Sequence, residues 1–398
     1  MQNELSYDTI EGKVIDDFVI LEKISSGCSC VVHLARHLPT NSYSAAKIID
    51  LNKQTKPSFK GIMREISVYM QVSHPNIALL YRVSFVDTML IFFLEYASSG
   101  TLKQYVQRNN GLTEEETRRI FLQLLSAIFH INNNHFLVHR DIKLDNILLD
   151  ADNNVKLIDF GLSDTFYCRT LRSFVGTPGY TPPELIAGTE YGEKCDVWSL
   201  GVVLYSMLTN MLPFSAQTSD YKLLSKEATS LSPLSGISCQ LQSLINQMLE
   251  PRPPYRLSVS QLVDHAWAKT HISLLKITEP RPVIFYHIKN PNEIKKFVRT
   301  PTPIDISITQ ICQSMNINID TLEEQINSGN TTDITTTYFV LSRPCFLNPS
   351  IIPLPPLEAE PKKRPARTST KSKSNPTLRK MANKRPSLKP SFIPAMKL

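Results

Sequence analysis

The 398-residue chain has seven cysteines, Cys28, Cys30, Cys168, Cys195, Cys239, Cys312 and Cys345, and none of them pair at metal-ligand spacing. An odd count in a long chain excludes a disulfide scaffold and predicts reduced thiols, in the cytosol or nucleus. The N-terminal Met1-Gln2-Asn3-Glu4-Leu5-Ser6 lacks the basic start and apolar core of a secretory signal. Acidic residues are missing from Pro361 onward, where 12 of the 43 Lys/Arg fall. The remainder therefore carries 31 basic against 36 acidic residues, so the formal +7 belongs to the tail alone. Aromatic side chains are also scarce there, with only Phe392, which removes the stacking platform that sequence-reading nucleic-acid binders use. What is present is a 42% hydrophobic, 20% charged chain, long enough for two lobes or domains plus extra segments.

The densest chemical signal is His139-Arg140-Asp141-Ile142-Lys143-Leu144-Asp145-Asn146, followed by Asp159-Phe160-Gly161. A base to orient a hydroxyl, a lysine, and amide and carboxylate oxygens for Mg²⁺ form the set that phosphoryl transfer from a nucleotide requires. Upstream, Lys47 ends Ala45-Ala46-Lys47, and Glu65 borders the helical face made by Ile62, Ile66 and Tyr69. Downstream come Gly176-Thr177-Pro178-Gly179-Tyr180, Pro182-Pro183-Glu184, Asp196-Val197-Trp198-Ser199-Leu200-Gly201 and Arg256. In this order, over residues 18–268, the chain resembles the eukaryotic protein kinase family. Within it, it is most similar to the calcium/calmodulin-dependent-kinase-like group and its AMP-activated-kinase-related members.

The resemblance implies an α+β bilobal fold, with a β-rich N-lobe (18–94), a hinge (95–97) and a helical C-lobe (98–268). It implies ATP and Mg²⁺ as cofactors and Ser/Thr hydroxyls of proteins as acceptors. Asp141 would be the base and Lys143 would steady the transferring group. Lys47, paired with Glu65, would hold the phosphates, and Asn146 and Asp159 would ligate the metal. The nucleotide would lie against Ile24, Ser25, Gly27, Val32 and Ala45, with Glu95 and Ala97 offering hinge backbone and Asp145 and Leu148 closing the floor. Lys143 and Thr177 both favour serine/threonine over tyrosine. Arg140 before the base marks enzymes switched by activation-loop phosphorylation, with Ser173 at the modified position, so an upstream activating kinase is expected as a partner. Phe160 and His139 read as packing residues. The uncharged run from Val197 to Phe214 is the buried central helix of the large lobe and not a membrane span. Trp267 closes the last helix.

Two departures from the family pattern stand out. The phosphate-covering loop, Ser25-Ser26-Gly27-Cys28-Ser29-Cys30, keeps only its middle glycine, and this is the ground for an alternative reading as a pseudokinase scaffold. Asp145 keeps an acid where basophilic relatives read arginine, but Thr101 replaces their glutamate, so a weak basic preference at most is expected.

Strands are predicted at Phe18–Ile24, Val31–Arg36, Ser44–Ile49, Ala78–Phe85 and Met89–Leu94. Residues 1–17 are an N-terminal extension and 269–303 a linker. Residues 304–342 carry three apolar stripes, Ile308/Ile311/Cys312/Met315, Ile319/Leu322/Ile326 and Ile334/Tyr338/Leu341, which predict three short helices. This segment is similar to the ubiquitin-associated module of AMP-activated-kinase relatives; an ordinary helical extension is the alternative. It is expected to dock on the kinase domain, its Met315-Asn316-Ile317 loop departing from the usual ubiquitin-binding pattern. The Pro-rich basic tail, 343–398, is predicted to be disordered. It either binds a polyanion (acidic lipid, a microtubule face, importin or nucleic acid) or is simply solvated.

Overall fold

The computed structural model describes residues 7, 9–27, 30–167, 170–214, 220–269, 306–328 and 332–341. Linker residues 270–305 and the whole basic tail lie outside them.

The N-terminal part is a six-stranded antiparallel sheet of order β1-β2-β3-β4-β6-β5. Its strands are β1 (Val14–Ile15), β2 (Phe18–Ser26), β3 (Val31–His37), β4 (Ser42–Asp50), β5 (Leu80–Val86) and β6 (Met89–Glu95). Helix α1 (Lys56–Tyr69) crosses between β4 and β5 and starts at Thr55, whose hydroxyl accepts the Ser58 N–H at 3.4 Å. All seven residues of β6 are buried, because both faces of the sheet are covered. Leu90, Phe92 and Leu94 face Ile62, Ile66 and the rest of the main core. Ile91 and Phe93 point the other way, into a second core with Phe18, Ile20 and Ile48. There the Phe18 and Phe93 rings stack at 3.9 Å.

The C-lobe follows the hinge. It begins with β7 (Gly100–Thr101), α2 (Leu102–Asn109) and α3 (Glu114–Phe129), and α3 ends in a π-turn at His130–Asn134. Short strands β8 (Leu137–Val138), β9 (Ile147–Leu149), β10 (Val155–Leu157) and β11 (Asp164–Thr165) carry the catalytic loop between them. They pair as β10-β9-β7 and β11-β8. Then come α4 (Pro183–Ile186), α5 (Lys194–Thr209), α6 (Tyr221–Thr229), α7 (Cys239–Met248) and α8 (Val259–Asp264).

Most of α5 is buried, which accounts for its uncharged sequence without invoking lipid. Among the described residues no helix is long and apolar enough to cross a membrane. At Gly201 an added Cβ would sit 2.9 Å from Leu249 Cδ2 and 3.0 Å from Met248 Cβ, so glycine sets how closely the α7 end approaches. The expectation for Trp267 needs correction: α8 stops at Asp264 and Trp267 lies in the turn beyond it. Its ring packs on Phe121 and its Nε1–H donates to Glu114 at 2.8 Å, contacts that fix the chain after the helix has ended. The described cysteines, Cys30, Cys195, Cys239 and Cys312, are free thiols.

Beyond the linker, α9 (Ile306–Ser314), α10 (Ile319–Asn327) and α11 (Asp333–Leu341) enclose a small core of Ile308, Cys312, Leu322, Ile326, Tyr338 and Leu341. Val340 leaves that core and enters the second core of the N-lobe sheet. Arg82 of β5 reaches both Asp16, at 2.8 Å, and Asp333 at the start of α11. The helical segment thus covers the sheet face opposite α1.

Candidate active site

The catalytic loop is shaped from below by α5. Asp196, fully buried, accepts the backbone N–H groups of His139 at 2.8 Å and Arg140 at 2.9 Å. These bonds hold Arg140 at φ 67°, a left-handed conformation that a non-glycine residue adopts only when its surroundings impose it. The turn presents Asp141, which three donors orient. Lys143 Nζ and Asn146 Nδ2 donate to Oδ2 at 2.7 and 2.9 Å, and Thr177 Oγ1 donates to Oδ1 at 2.5 Å. Lys143 also donates to Thr177 Oγ1 at 2.8 Å, so the activation segment and the loop close on one carboxylate.

Lys47 projects from β4 on the cleft side, while its neighbours Ala46 and Ile48 are fully buried on the other face. Its Nζ donates to both Glu65 oxygens, at 2.7 and 2.8 Å. Burial pulls the Lys47 pKa downward, but Glu65 and Asp159 outweigh it and hold it above the ordinary lysine value. Burial pushes Asp159 upward, yet Lys47 and His139 keep its carboxyl below the ordinary aspartate value, so it is ionised throughout neutral pH. Phe160 is fully buried, edge-on to Tyr69 at 5.1 Å and against His139 at 5.0 Å. Tyr69 Oη accepts the Asp159 N–H at 3.1 Å, a link from α1 to the metal-ligand candidate that α1 periodicity alone does not reveal.

The donor set fits ATP with Mg²⁺. Asn146 and Asp159 offer hard oxygen ligands, and Mg²⁺ ordinarily takes one or two protein groups plus phosphate oxygens and waters. Consistently, no cluster of three or more His, Cys, Asp or Glu side chains is arranged for a metal among the described residues.

The nucleotide-facing candidates Val32, Ala45 and Leu148 are partly exposed, and Ile24 is exposed, as cleft-lining apolar groups would be. Ser25 and Gly27 lie at the end of β2, where the Gly27 N–H donates to Cys30 O at 2.9 Å. A Cβ on Gly27 would meet nothing closer than 3.9 Å, so neither packing nor dihedral demands glycine there. The space above it is what phosphates would use. Gly27→Ala should leave the melting temperature unchanged and raise the KM for ATP about five- to tenfold; an unaltered KM in steady-state assays would remove Gly27 from the site.

Two candidates sit differently from the simplest reading. The Glu95 side chain turns away from the cleft: Oε1 pairs with buried Lys156 at 2.7 Å and Oε2 accepts the Leu79 N–H at 3.2 Å. Only its backbone, with that of Ala97, can meet a base. Asp145 pairs with Lys103 at 3.0 Å on the open surface. Neither partner, Lys156 nor Lys103, was legible from local sequence. Arg140 Nη1 donates to Ser173 Oγ at 2.7 Å and to Tyr191 Oη at 2.9 Å, while its Nη2 lies 3.3 Å from Asp164. A surface cavity of about 1050 Å³ beside Pro75, Asn76 and Glu114–Glu116 shares no residue with this site.

Comparison with known proteins agrees with this geometry. The family model for the protein kinase domain matches residues 18–268. The chain is 37% identical over 263 residues to serine/threonine-protein kinase SIK1 of Mus musculus, covering 65% of this chain and 33% of that protein. It is 36% identical over 256 residues to serine/threonine-protein kinase SIK2 of Gallus gallus, covering 63% of this chain and 32% of that protein. The chain thus spans about a third of the length of these curated relatives. With the Lys47–Glu65 pair, the oriented Asp141 and the family match all falling in the same 251 residues, the chain belongs to the protein kinase domain family.

Proposed function

We propose that the protein is an ATP-dependent protein serine/threonine kinase that transfers the γ-phosphoryl group to Ser or Thr hydroxyls of protein substrates. The observation that carries this reading is Asp141, oriented by Lys143, Asn146 and Thr177 in the same cleft as the Lys47–Glu65 pair. Asp141 accepts the acceptor's hydroxyl proton as the hydroxyl oxygen attacks the γ-phosphorus in line, and the bond from that phosphorus to the β,γ-bridging oxygen breaks to release ADP. Lys143 neutralises charge beside that carboxylate, and Lys47 positions phosphate oxygens from above. Mg²⁺, when bound at Asn146 and Asp159, neutralises charge between the phosphates. The Lys47–Glu65 pair and the donors around Asp141 support this reading, and nothing favours the scaffold alternative. The odd cysteine count without paired spacing supports a cytosolic or nuclear setting. The 306–341 helices support a ubiquitin-associated-like module docked on the N-lobe, and the tail composition supports salt-sensitive binding to a polyanion.

The reading includes a switch. Phosphate on Ser173 would carry close to two negative charges beside the Arg140 guanidinium and tie the activation segment to the catalytic loop. Incubation with an upstream kinase should raise wild-type peptide phosphorylation at least about tenfold and leave Ser173→Ala at its basal rate. Equal activation of both proteins would place the switch elsewhere, with Thr170 and then Thr177 next to be tested.

A further inference from the structure

The charge around Asp145 bears on which peptides this site accepts. Asp145 sits in the 3₁₀ turn Leu144–Asn146, four residues after the base, and its neighbour Asn146 is hydrogen-bonded to Asp141. Lys143 and Asn146, on either side of Asp145 in the chain, both donate to Asp141, so the same loop carries the Asp145 carboxylate on one short stretch of surface beside the base. An acceptor peptide whose hydroxyl reaches Asp141 lies beside that stretch. An exposed carboxylate there would attract a cationic side chain of the peptide. It is already engaged: Lys103 Nζ lies 3.0 Å from Asp145 Oδ1, with the two side chains 47% and 44% exposed.

Lys103 is the second residue of α2, which is capped by Thr101. A cation in the first turn of a helix opposes the helix dipole, and Asp145 is the counter-charge that offsets this here. With Thr101 uncharged, Asp145 is the acidic group at this junction that α2 could offer a basic peptide, and Lys103 covers it.

Resting on the kinase reading above, we infer that Lys103 is a specificity-determining residue: by occupying the Asp145 carboxylate it suppresses selection of basic residues, so that neutral peptides are accepted as readily as basic ones. A peptide arginine must displace Lys103, and the exchange of one exposed ion pair for another brings little net gain.

The test uses the full chain and a series of peptides with one acceptor serine in a neutral background, with a single arginine scanned over the five positions on either side. For the wild type, kcat/KM for the arginine peptides should stay within about twofold of the alanine reference. Lys103→Ala should raise that ratio about three- to fivefold at one position, through KM, leaving the neutral peptide and the KM for ATP unchanged. Lys103→Met should do the same and Lys103→Arg should behave as wild type, which separates charge from packing. The gain should vanish at 0.5 M salt, about where screening falls within ~5 Å. An unchanged arginine ratio in both the Ala and Met variants, or a wild type that already selects arginine strongly, would overturn the inference while leaving the kinase reading intact. A wild type that phosphorylates no peptide would instead overturn the kinase reading, and this inference with it.

Discussion

Asp141→Asn should lower turnover by about 10²- to 10⁴-fold while Mg-nucleotide affinity stays within about twofold. The asparagine keeps the shape of the side chain, but its single oxygen can accept at only one of the two places where Thr177 and Lys143 now donate. It cannot take a hydroxyl proton, and it removes the anion that Lys143 now neutralises at 2.7 Å. In the proposed mechanism the base would face the acceptor, whereas the metal-ligand candidates Asn146 and Asp159 would face the nucleotide. Asp159→Asn should accordingly show the opposite signature, with Mg-dependent nucleotide binding lost along with activity. Steady-state peptide phosphorylation and a nucleotide titration on the two variants separate the roles. An Asp141→Asn protein with undiminished turnover would dismiss Asp141 as the base.

The second large effect is on stability and lies away from the cleft. Arg256→Ala should destabilise the kinase domain by about 3–5 kcal/mol, because it strands the Glu184 carboxylate without its partner. Arg256 donates to both Glu184 oxygens, at 2.6 and 2.9 Å, and to the carbonyls of Glu250, Lys194 and Pro251. Its side chain is fully buried and Glu184 is only 4% exposed. The guanidinium also lies 5.1 Å from the Trp198 ring centroid, so the alanine leaves a cavity as well as a charge. Thermal melting should fall by about 10 °C or more for a domain of this size. Replacing both partners, as Arg256→Met with Glu184→Leu, should recover part of the loss, since an apolar pair leaves no buried charge uncompensated. A single Arg256→Ala variant melting within about 2 °C of wild type would mean that the pair contributes little.

Much of this protein could be read along the chain, and the reason is local. The proposed transfer chemistry puts the base, a lysine and one metal-ligand candidate on one tight loop, so Asp141, Lys143 and Asn146 fall within six residues and announce themselves. Strand alternation around Ala45-Ala46-Lys47 and the helical face of Ile62, Ile66 and Tyr69 likewise follow from periods of two and 3.6 residues. Even the three stripes of the C-terminal helices needed no tertiary information. That Trp267 lies beyond the end of α8 was not legible, because its anchoring contacts with Phe121 and Glu114 come from another helix.

The sequence by itself determined the kinase architecture, the residues of the proposed transfer chemistry and the glycine-poor loop, because each is encoded by neighbours in the chain. Only the tertiary structure decided what the isolated charges do. Arg256 finds Glu184 across 72 residues, Lys156 finds Glu95 across the lobes, and Lys103 finds Asp145 at the mouth of the site. It also decided that the N-lobe sheet is covered on both faces, by α1 on one side and by Val340 and its helix on the other. Long-range charge pairs and docked faces leave no periodicity in the chain; the fold brings their members together, and for the buried ones the removal of water makes an unpartnered charge or apolar surface costly.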